Sequence, residues 1–490
     1  MNIRAIRLQN FRGFQDAHIE LKPLTVLLGP NSSGKSSFGQ ALAAMAHVHK
    51  YYVSTPQASL TPPPQQDVDA WPVDLGDTDD LRTEGAEGPV IIGLQTNGGW
   101  VELGFGGLTH TPDLLISYFS HPSGERSAPT TPSNMVLTDV PKSQTSDVVL
   151  VEGVLHDMRS TKELRQSIDV RKINENQWQE GTTAVSVALN GLLITGVEHT
   201  SGTARILSGV ARNELRAFLE HLTYLRANRK RPSRGYTPGV GKQQPIGYSG
   251  EWAPSILLKN GLEQVTYCVP PAIPNSVGEA QQSNPEWKTT QEALSDALNA
   301  WLLRLEIAKR VETVAPTTAN NVVRMRVALK GQSAHDITET GLGVSQVIPV
   351  LIAGLLQPKD SLFIVDLPEA HLHPRPQGAL ADFFCSLALS GRTALVETHS
   401  EMFFHRLRLR AAQDPTLMDK IAVYFIDAPE DGICSTPRAV GLRQEDYLRL
   451  YPDLPTTKTL RFPSFIVFSS TLTVHVNRKE CAQGYPGLRS

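Results

Sequence analysis

Two carboxylates follow a short apolar run in the C-terminal half of the chain. The run SLFIVD ends at Asp366, and Glu369 comes three residues later, after Leu367 and Pro368. A carboxylate at the end of a strand is a hard oxygen ligand suited to Mg²⁺, and a second acid close by can orient an attacking water. The spacing places two acids close together and leaves open which of them holds a metal and whether either orients water.

A phosphate-binding pattern lies near the N-terminus, where GPNSSGKS occupies residues 29–36. It matches G-x-x-x-x-G-K-[ST] and stands between the strand-like LTVLLG and the helical SSFGQALAAMAHVHKYY. In such loops backbone N–H groups surround the phosphates, the lysine reaches the β- and γ-phosphates, and the next hydroxyl serves Mg²⁺. The sequence therefore predicts ATP and Mg²⁺ as cofactors. The candidate nucleotide-binding residues here are Gly29, Asn31, Ser32, Ser33, Gly34, Lys35, Ser36 and Ser37, and the candidate metal ligands are Ser36 and Asp366.

A glycine-rich stretch, GLGVSQVIPVL, precedes the acidic strand. Pro349 is tolerated only near the start of a helix, so we expect an apolar helix to begin close to Ser345. A serine at a helix N-terminus either forms part of an anion site or simply caps the helix. The residues alone leave both interpretations open.

Charge and cysteine usage exclude several classes of protein. The 46 basic and 49 acidic residues give a net charge of -3, which is no global signature of nucleic-acid binding. The four cysteines lie far apart without a C-x-x-C pair, which argues against a disulfide scaffold or a zinc cage. The N-terminus lacks a signal-peptide core, and the longest apolar run, VIPVLIAGLL, is shorter than the roughly 18 residues of a spanning helix. We therefore expect a cytoplasmic protein without a membrane segment.

The hydrophobic patterns predict a large α/β protein with mixed α+β insertions. SLFIVD and TALVETHS flank a helical segment and form a βαβ unit with a parallel sheet, while PVIIGLQ and WVELGFGG are expected to pair. A polar segment, Thr161 to Trp178, is interpreted as helical. The expected divisions are an N-terminal lobe with the phosphate loop (1–120), an inserted middle region with a basic loop (121–310), a C-terminal lobe (311–430) and a tail without an assigned role (431–490).

The inserted region contains a cationic segment, RANRKRPSRGY, preceded by Tyr224 and ending at Tyr236. Such residues suit nucleic-acid phosphates and base stacking, although a solvated charge run or a protein-docking loop has the same composition. Nucleic acid is thus a candidate partner. The residues that would contact it are Arg226, Arg229, Lys230, Arg231 and Arg234.

The order of NFRGF, GPNSSGKSS, GLGVSQ, DLPEAHLHP and VETHSE resembles the ABC-type ATPase heads of the OLD and SMC/RecF-like group. The resemblance implies a P-loop NTPase whose heads form a homodimer on ATP binding, with Ser345 contacting the γ-phosphate of the partner's ATP. His399 stands where related heads keep a switch histidine, although a satisfied core histidine is the alternative. Leu367 departs from the family pattern, which often has an acid there, so the catalytic residues implied are Asp366, Glu369 and His399.

The same resemblance implies a slow ATPase that controls a partner effector, a nuclease or toxin, in bacterial anti-phage defence. Two alternatives remain: a DNA-binding repair ATPase of the RecF kind, and an ATP-dependent assembly scaffold. The stretch VYFIDAPEDG lacks the D-x-D carboxylate pair of the Toprim nuclease domain found in OLD proteins, so we expect no nuclease site in this chain.

Overall fold

The computed structural model describes the chain in segments that include every predicted nucleotide-site residue. The described residues are 3–52, 81–86, 90–97, 99–105, 114–119, 148–152, 164–174, 177–190, 193–199, 202–204, 209–239, 244–272, 286–318, 320–427 and 434–442. The tail from Pro463 onward, for which the sequence suggested no role, lies outside them.

The elements of the described residues follow the chain in this order. The strands are β1 (Ala5–Phe11), β2 (Phe14–Glu20), β3 (Leu24–Leu28), β4 (Val90–Thr96), β5 (Gly99–Phe105), β6 (Leu114–Phe119), β7 (Val148–Glu152), β8 (Leu164–Asn174), β9 (Gln177–Asn190), β10 (Leu193–His199), β11 (Gly202–Ala204), β12 (Thr223–Leu225), β13 (Gln264–Val269), β14 (Lys288–Ala293), β15 (Arg310–Val314), β16 (Arg324–Ala328), β17 (Ala334–Asp336), β18 (Leu362–Asp366), β19 (Thr393–Glu397), β20 (Ile421–Asp427) and β21 (Thr436–Ala439). The α-helices are α1 (Lys35–Tyr52), α2 (Gly209–His221), α3 (Ala253–Asn260), α4 (Leu294–Arg304), α5 (Leu342–Leu356), α6 (Pro374–Leu389) and α7 (Glu401–Gln413).

A six-stranded sheet of order β12-β18-β19-β3-β20-β21 carries the chemical motifs. Its strands are parallel except for β21, which pairs with β20 in the antiparallel sense. The strands β3, β18 and β19 are buried along their whole length, as expected for parallel strands covered on both faces. The predicted βαβ unit is confirmed, and it places the ends of β3, β18 and β19 at one edge of the sheet.

Each face of this sheet packs into a separate hydrophobic core. Ile364 points into a core shared with α1 and with the antiparallel sheet β2-β1-β4-β5-β6, which contains the predicted β4–β5 pair. Phe363, the preceding residue, points into the opposite core, where it stacks on Phe384 of α6. This alternation along β18 follows from the two-residue period of a strand. The sheet is therefore held from both sides, which fixes the edge that carries the motifs.

The predicted helix over Thr161 to Trp178 is wrong. Residues Leu164–Asn174 form β8, which pairs antiparallel with β9 along its full length. The segment is polar on average, but apolar and polar residues alternate around Ile168 and Val170, as in a strand. Pairing with β7 on one side and β9 on the other stabilises the strand. The middle sheet, of order β11-β10-β9-β8-β7, is all antiparallel.

The predicted start of the helix after GLG is also wrong. Helix α5 begins at Leu342, three residues before Ser345, and Pro349 lies inside it. The proline ring packs against Gly250, where an added Cβ would come within 2.5 Å of the proline Cβ. Burial of α5 in the core stabilises it despite the missing N–H, so the proline did not mark the helix start.

None of the described helices has the length and apolar character needed to cross a membrane.

A buried ion pair links α6 to α7 on the second face of the sheet. Arg410 donates to both carboxylate oxygens of Asp382, at 2.8 and 2.9 Å, and both side chains are buried. We predict that Asp382→Ala lowers the free energy of unfolding by about 3–5 kcal/mol, because it leaves a buried guanidinium uncompensated. Asp427→Ala breaks the half-exposed pair with Arg438 and should cost less than about 1 kcal/mol. Denaturant unfolding of both variants tests this difference, and equal losses would contradict it.

Candidate active site

The phosphate loop runs from the end of β3 into α1 as the sequence predicts. Gly29 and Gly34 have positive φ angles of 145° and 88°. A Cβ at Gly29 would lie 2.3 Å from the carbonyl oxygen of Ile426 in β20, and one at Gly34 would lie 2.9 Å from the Phe14 ring. These two glycines therefore let the loop fold tightly between β20 and the N-terminal sheet.

The lysine of the loop is buried beneath the loop backbone. The Lys35 ammonium donates to the carbonyl oxygen of Pro30 and, at 3.3 Å, to Ser33 Oγ. Burial lowers the pKa of Lys35, and the nearby Glu397 carboxylate acts in the opposite direction. The ammonium thus lies within the loop, where it can exchange loop oxygens for phosphate oxygens.

The loop contributes further candidate groups beside Lys35. Asn31 and Ser32 are exposed on its rim, and Ser33 and Ser37 are buried. The hydroxyl of Ser36 lies beside Glu397 at the end of β19 and lowers the pKa of that carboxyl. A predicted metal ligand therefore contacts a carboxylate that the sequence analysis did not assign.

Asp366 and Glu397 lie side by side at the ends of two adjacent parallel strands. The register of β18 and β19 pairs the two residues directly, and both side chains are buried. Burial raises the pKa of Asp366 well above its usual range, and the Glu397 carboxylate raises it further. Burial likewise raises the pKa of Glu397, against the lowering effect of the Ser36 hydroxyl and the Lys35 ammonium. The pair is an acidic site whose ionised form needs cationic partners.

Tyr224 of β12 contacts this acidic pair from the far side. Its hydroxyl donates to Asp366 Oδ2 at 2.5 Å, and the ring is fully buried. Burial and the Asp366 carboxylate raise the pKa of Tyr224, so the phenol remains a donor. The expectation that Tyr224 offers a ring for base stacking is wrong, because β12 carries it into the core next to β18.

Glu369 and His399 meet beside the phosphate loop. The backbone N–H of His399 donates to Glu369 Oε1 at 2.9 Å, whereas Glu369 Oε2 is buried without a hydrogen-bond partner among the described residues. His399 Nδ1 lies 3.1 Å from the carbonyl oxygen of Gly29. Because a carbonyl only accepts, Nδ1 carries the proton in this contact. The Nε2 of a neutral ring is then an acceptor.

The protonation state of the exposed His399 ring decides whether it can act as the expected switch histidine. Burial of part of the ring lowers the pKa of His399, and the Lys35 ammonium lowers it further. Donation from Nε2 to a phosphate oxygen requires the protonated ring while Nδ1 stays on Gly29. The ring is exposed and is therefore not a core histidine.

One arginine of the cationic segment belongs to the site rather than to the surface. Arg229 is 3% exposed and donates to the carbonyl oxygens of Asp366 at 3.0 Å and Leu367 at 2.7 Å. Burial lowers its pKa to about 10, and the carboxylates of Glu369 and Asp366 act in the opposite direction. The prediction that Arg229 contacts nucleic acid is wrong, because the side chain is buried and both of its terminal nitrogens donate to the chain ending β18.

The other cations of this segment differ in exposure. Lys230, Arg231 and Arg234 are exposed, and Arg226 is half-buried. Arg234 lies 3.9 Å from Glu339 in a weak surface pair. Three of the five predicted phosphate contacts are therefore on the surface.

Ser345 is one turn inside α5 and is buried. Its hydroxyl donates to the carbonyl oxygen of Leu342 at 2.8 Å. The helix N-terminus is instead formed by Gly341 and Leu342, which are exposed and have no side-chain cap. Gly343 packs on the chain after the acidic strand, where a Cβ would lie 2.6 Å from the His371 carbonyl oxygen. Ser345 is therefore not the N-cap, which was one of the two interpretations that the sequence left open, and the N-terminal end of α5 lies three residues earlier.

A family model described as AAA ATPase domain matches residues 1–103 and 258–404, just over half of the chain. The chain belongs to this family. It is an AAA ATPase, and its parallel α/β sheet with a phosphate loop after β3 agrees with the P-loop NTPase fold that the sequence predicted.

Several solved structures of SMC heads are similar to this AAA ATPase at low identity. The SMC head domain from Thermotoga maritima is 10% identical, with 90% of this chain and 99% of that chain covered and a TM-score of 0.33. An SMC head bound to the C-winged helix domain of ScpA is 11% identical, covers the same shares and has a TM-score of 0.38. A Pyrococcus furiosus SMC head with an extended coiled coil, bound to the C-terminal domain of ScpA, is 9% identical, with 92% and 99% covered and a TM-score of 0.37.

The acidic pair of this ATPase predicts a stability that depends on pH. The raised pKa values of Asp366 and Glu397 mean that the folded state binds more protons than the unfolded state, so stability falls as the pH rises through those values. Asp366→Asn removes one of the two charges and keeps an acceptor for Tyr224. We expect its melting temperature, without nucleotide, to exceed that of the wild type by an amount that grows as the pH rises above the ordinary carboxyl pKa of about 4.

The same variant should bind nucleotide about tenfold or more weakly in the presence of Mg²⁺, since it loses a carboxylate ligand. Asp419→Asn, which removes a carboxylate at an exposed position, serves as the control. A stability difference that stays constant with pH would contradict the described acidic pair.

Proposed function

We propose that this ATPase is a slow, dimeric ATP switch in which the acids at the ends of β18 and β19 act on the nucleotide. One observation carries the proposal: buried carboxylate oxygens, Glu369 Oε2 and Glu397 Oε2, lack hydrogen-bond partners among the described residues. Buried acceptors normally find a donor or a cation. Their position beside Lys35 supports a site completed by Mg²⁺ and the phosphates.

The residues present fit Mg²⁺. Ser36, Asp366 and Glu397 offer the hard oxygen ligands that this ion prefers, and the oxygen of Glu397 without a partner is available to it. When bound, Mg²⁺ neutralises charge on the β- and γ-phosphates. We assign Ser36 and Asp366 to the metal, as the sequence suggested, and add Glu397.

The remaining site residues take separate roles in this proposal. Lys35 and the loop residues from Gly29 to Ser37 bind the phosphates, and Glu369 Oε2 accepts a hydrogen bond from the attacking water. Leu367 provides no proton acceptor next to Asp366. The attacking water is thus held by Glu369 alone, which lies three residues after the strand-end acid. Because no acid occupies the position next to Asp366, we expect ATP to bind tightly and to be hydrolysed slowly.

A second copy of this chain completes the proposed switch. The rim of the phosphate loop is exposed at Asn31 and Ser32. The start of α5, which has no side-chain cap, is exposed at Gly341 and Leu342. Each is an anion-binding end of a helix. We propose that ATP lies between the loop of one protomer and α5 of the other, with Ser345 supporting the α5 start from inside the helix.

The output of the switch is proposed to be a partner effector, a nuclease or toxin, in anti-phage defence. The sequence resemblance alone supports this context. A RecF-like DNA-binding role is the second candidate, favoured by the exposed Lys230, Arg231 and Arg234. Retention of duplex DNA at low salt, lost when these three cations are neutralised, would support the second role over the first.

We predict that Glu369→Gln binds ATP with unchanged affinity, accumulates as an ATP-bound dimer and hydrolyses ATP on the order of a hundredfold more slowly. Glutamine keeps an acceptor for the His399 N–H but cannot take a proton. Phosphate release and light scattering measure the two effects. Glu401→Gln, at an exposed acid that begins α7, is the control. Full turnover by Glu369→Gln would remove Glu369 from the mechanism.

We predict that Leu342→Arg abolishes ATP-dependent dimerisation while leaving ATP binding by single chains intact. Leu342 is 36% exposed at the α5 start, so the change adds bulk and charge to the proposed interface without disturbing the core. Leu262→Arg, at a leucine that is 86% exposed elsewhere, is the matched control and should dimerise normally. Analytical ultracentrifugation with ATP measures the fraction of dimer for both changes, each made in the Glu369→Gln variant so that the ATP-bound dimer accumulates. Normal dimerisation of Leu342→Arg would refute the shared site.

A further inference from the structure

Arg229 clamps the backbone at the point where β18 ends. Its Nη1 donates to the carbonyl oxygens of Asp366, at 3.0 Å, and Arg226, at 3.3 Å, and its Nη2 donates to that of Leu367, at 2.7 Å. The planar guanidinium therefore bridges two consecutive carbonyl groups. A rigid fork of donors holds such a pair in one geometry, which a single ammonium cannot do.

The clamped carbonyl of Leu367 also begins the turn that carries Glu369. The N–H of Ala370 donates to the Leu367 oxygen at 3.0 Å, and Pro368 and Glu369 occupy the two central positions. Leu367 itself has a φ angle of 45°, a conformation that a leucine adopts only when its surroundings impose it. The guanidinium and the N–H of Ala370 thus donate to the same acceptor, the Leu367 carbonyl oxygen. Both hydrogen bonds fix the turn that carries the Glu369 side chain.

The segment that carries Arg229 is itself held on both sides. The N–H groups of Arg226 and Lys230 donate to the carbonyl oxygens of Tyr248, at 3.0 Å, and Ser249, at 2.9 Å. Gln346 of α5 donates from Nε2 to the Lys230 carbonyl oxygen at 3.3 Å. Arg229 therefore extends from a fixed backbone and connects the start of α5 to the turn of Glu369.

We infer that Arg229 is a positioning residue for ATP hydrolysis, which sets the turn of Glu369 so that its free carboxylate oxygen faces the attacking water. The inference rests on the proposed role of Glu369. Arg229 does not touch the water or the phosphates; it acts through the backbone of Asp366 and Leu367. Displacement of a catalytic group by about 1 Å costs on the order of a hundredfold in rate, so a loosened turn should be visible in turnover.

The chain offers a matched control for an arginine that only stabilises the fold. Arg392 is also buried and also donates to three backbone carbonyl oxygens, those of Gln357, Thr266 and Leu355, at 2.7 to 2.9 Å. It lies at the start of β19, at the opposite end of the strand from Glu397. Loss of its fork therefore disturbs packing without reaching the site.

The test compares Arg229→Lys with Arg392→Lys in the full chain, with kcat expressed per folded molecule well below each melting temperature. Arg229→Lys keeps the charge and loses the fork, so we expect kcat to fall about tenfold to a hundredfold while KM for ATP with Mg²⁺ changes less than about twofold. Arg392→Lys should lower the melting temperature and leave kcat within about twofold. Equal kcat in Arg229→Lys and the wild type, or equal losses in both variants, would overturn the inference.

A double variant separates this inference from the role of Glu369. If Arg229 acts through Glu369, Arg229→Lys combined with Glu369→Gln should be no slower than Glu369→Gln alone. Multiplied losses would overturn the inference and leave the role of Glu369 standing. Full turnover by Glu369→Gln would instead refute the proposed role of Glu369, and the inference with it.

Discussion

The juxtaposition of Asp366 and Glu397 is the constraint on which the rest of the site depends. Parallel pairing of β18 and β19 places two buried carboxylates side by side, where like charges repel and water cannot screen them. Three nearby groups oppose this repulsion: the Tyr224 and Ser36 hydroxyls as polar neighbours and the Lys35 ammonium as a cation. In the proposed function, Mg²⁺ bound with a nucleotide would neutralise part of this charge, so the repulsion in the empty site would favour the loaded one.

Much of the fold and the motif residues could be predicted from the sequence. Buried parallel strands appear as continuous apolar runs, and β3, β18 and β19 were recognisable for that reason. The phosphate loop was recognisable because its glycines and lysine are close together in sequence. Glu397 was missed although it lies in VETHSE, two residues before the assigned His399. The parallel register with Asp366 was the signal that could have found it, since both acids end neighbouring strands.

The errors at Arg229, Tyr224 and Pro349 have one physical origin, which is contact between segments far apart in the chain. Arg229 was interpreted as a surface cation because it lies within a polar and charged segment, and Tyr224 as a surface ring because it precedes that segment. Their neighbours in space, at the end of β18, come from more than a hundred residues away. Pro349 misled for the same reason, since Gly250 provides the space that its ring occupies. Local propensity describes the chain well only where tertiary contacts agree with it.

The strand that brings Tyr224 to the acids is only three residues long and lies at the edge of the sheet. On its outer side, both backbone groups of Tyr224 are satisfied by one side chain, Gln244, at 2.9 Å to the N–H and 2.7 Å to the carbonyl. Such an edge has few bonds to break and exchanges its amide hydrogens through local openings of low free energy. One opening would withdraw the phenol from Asp366 and loosen the backbone that leads to Arg229. The two supports of the site that lie outside its sequence motifs, Tyr224 and Arg229, are thus linked through one short stretch of chain at the sheet edge.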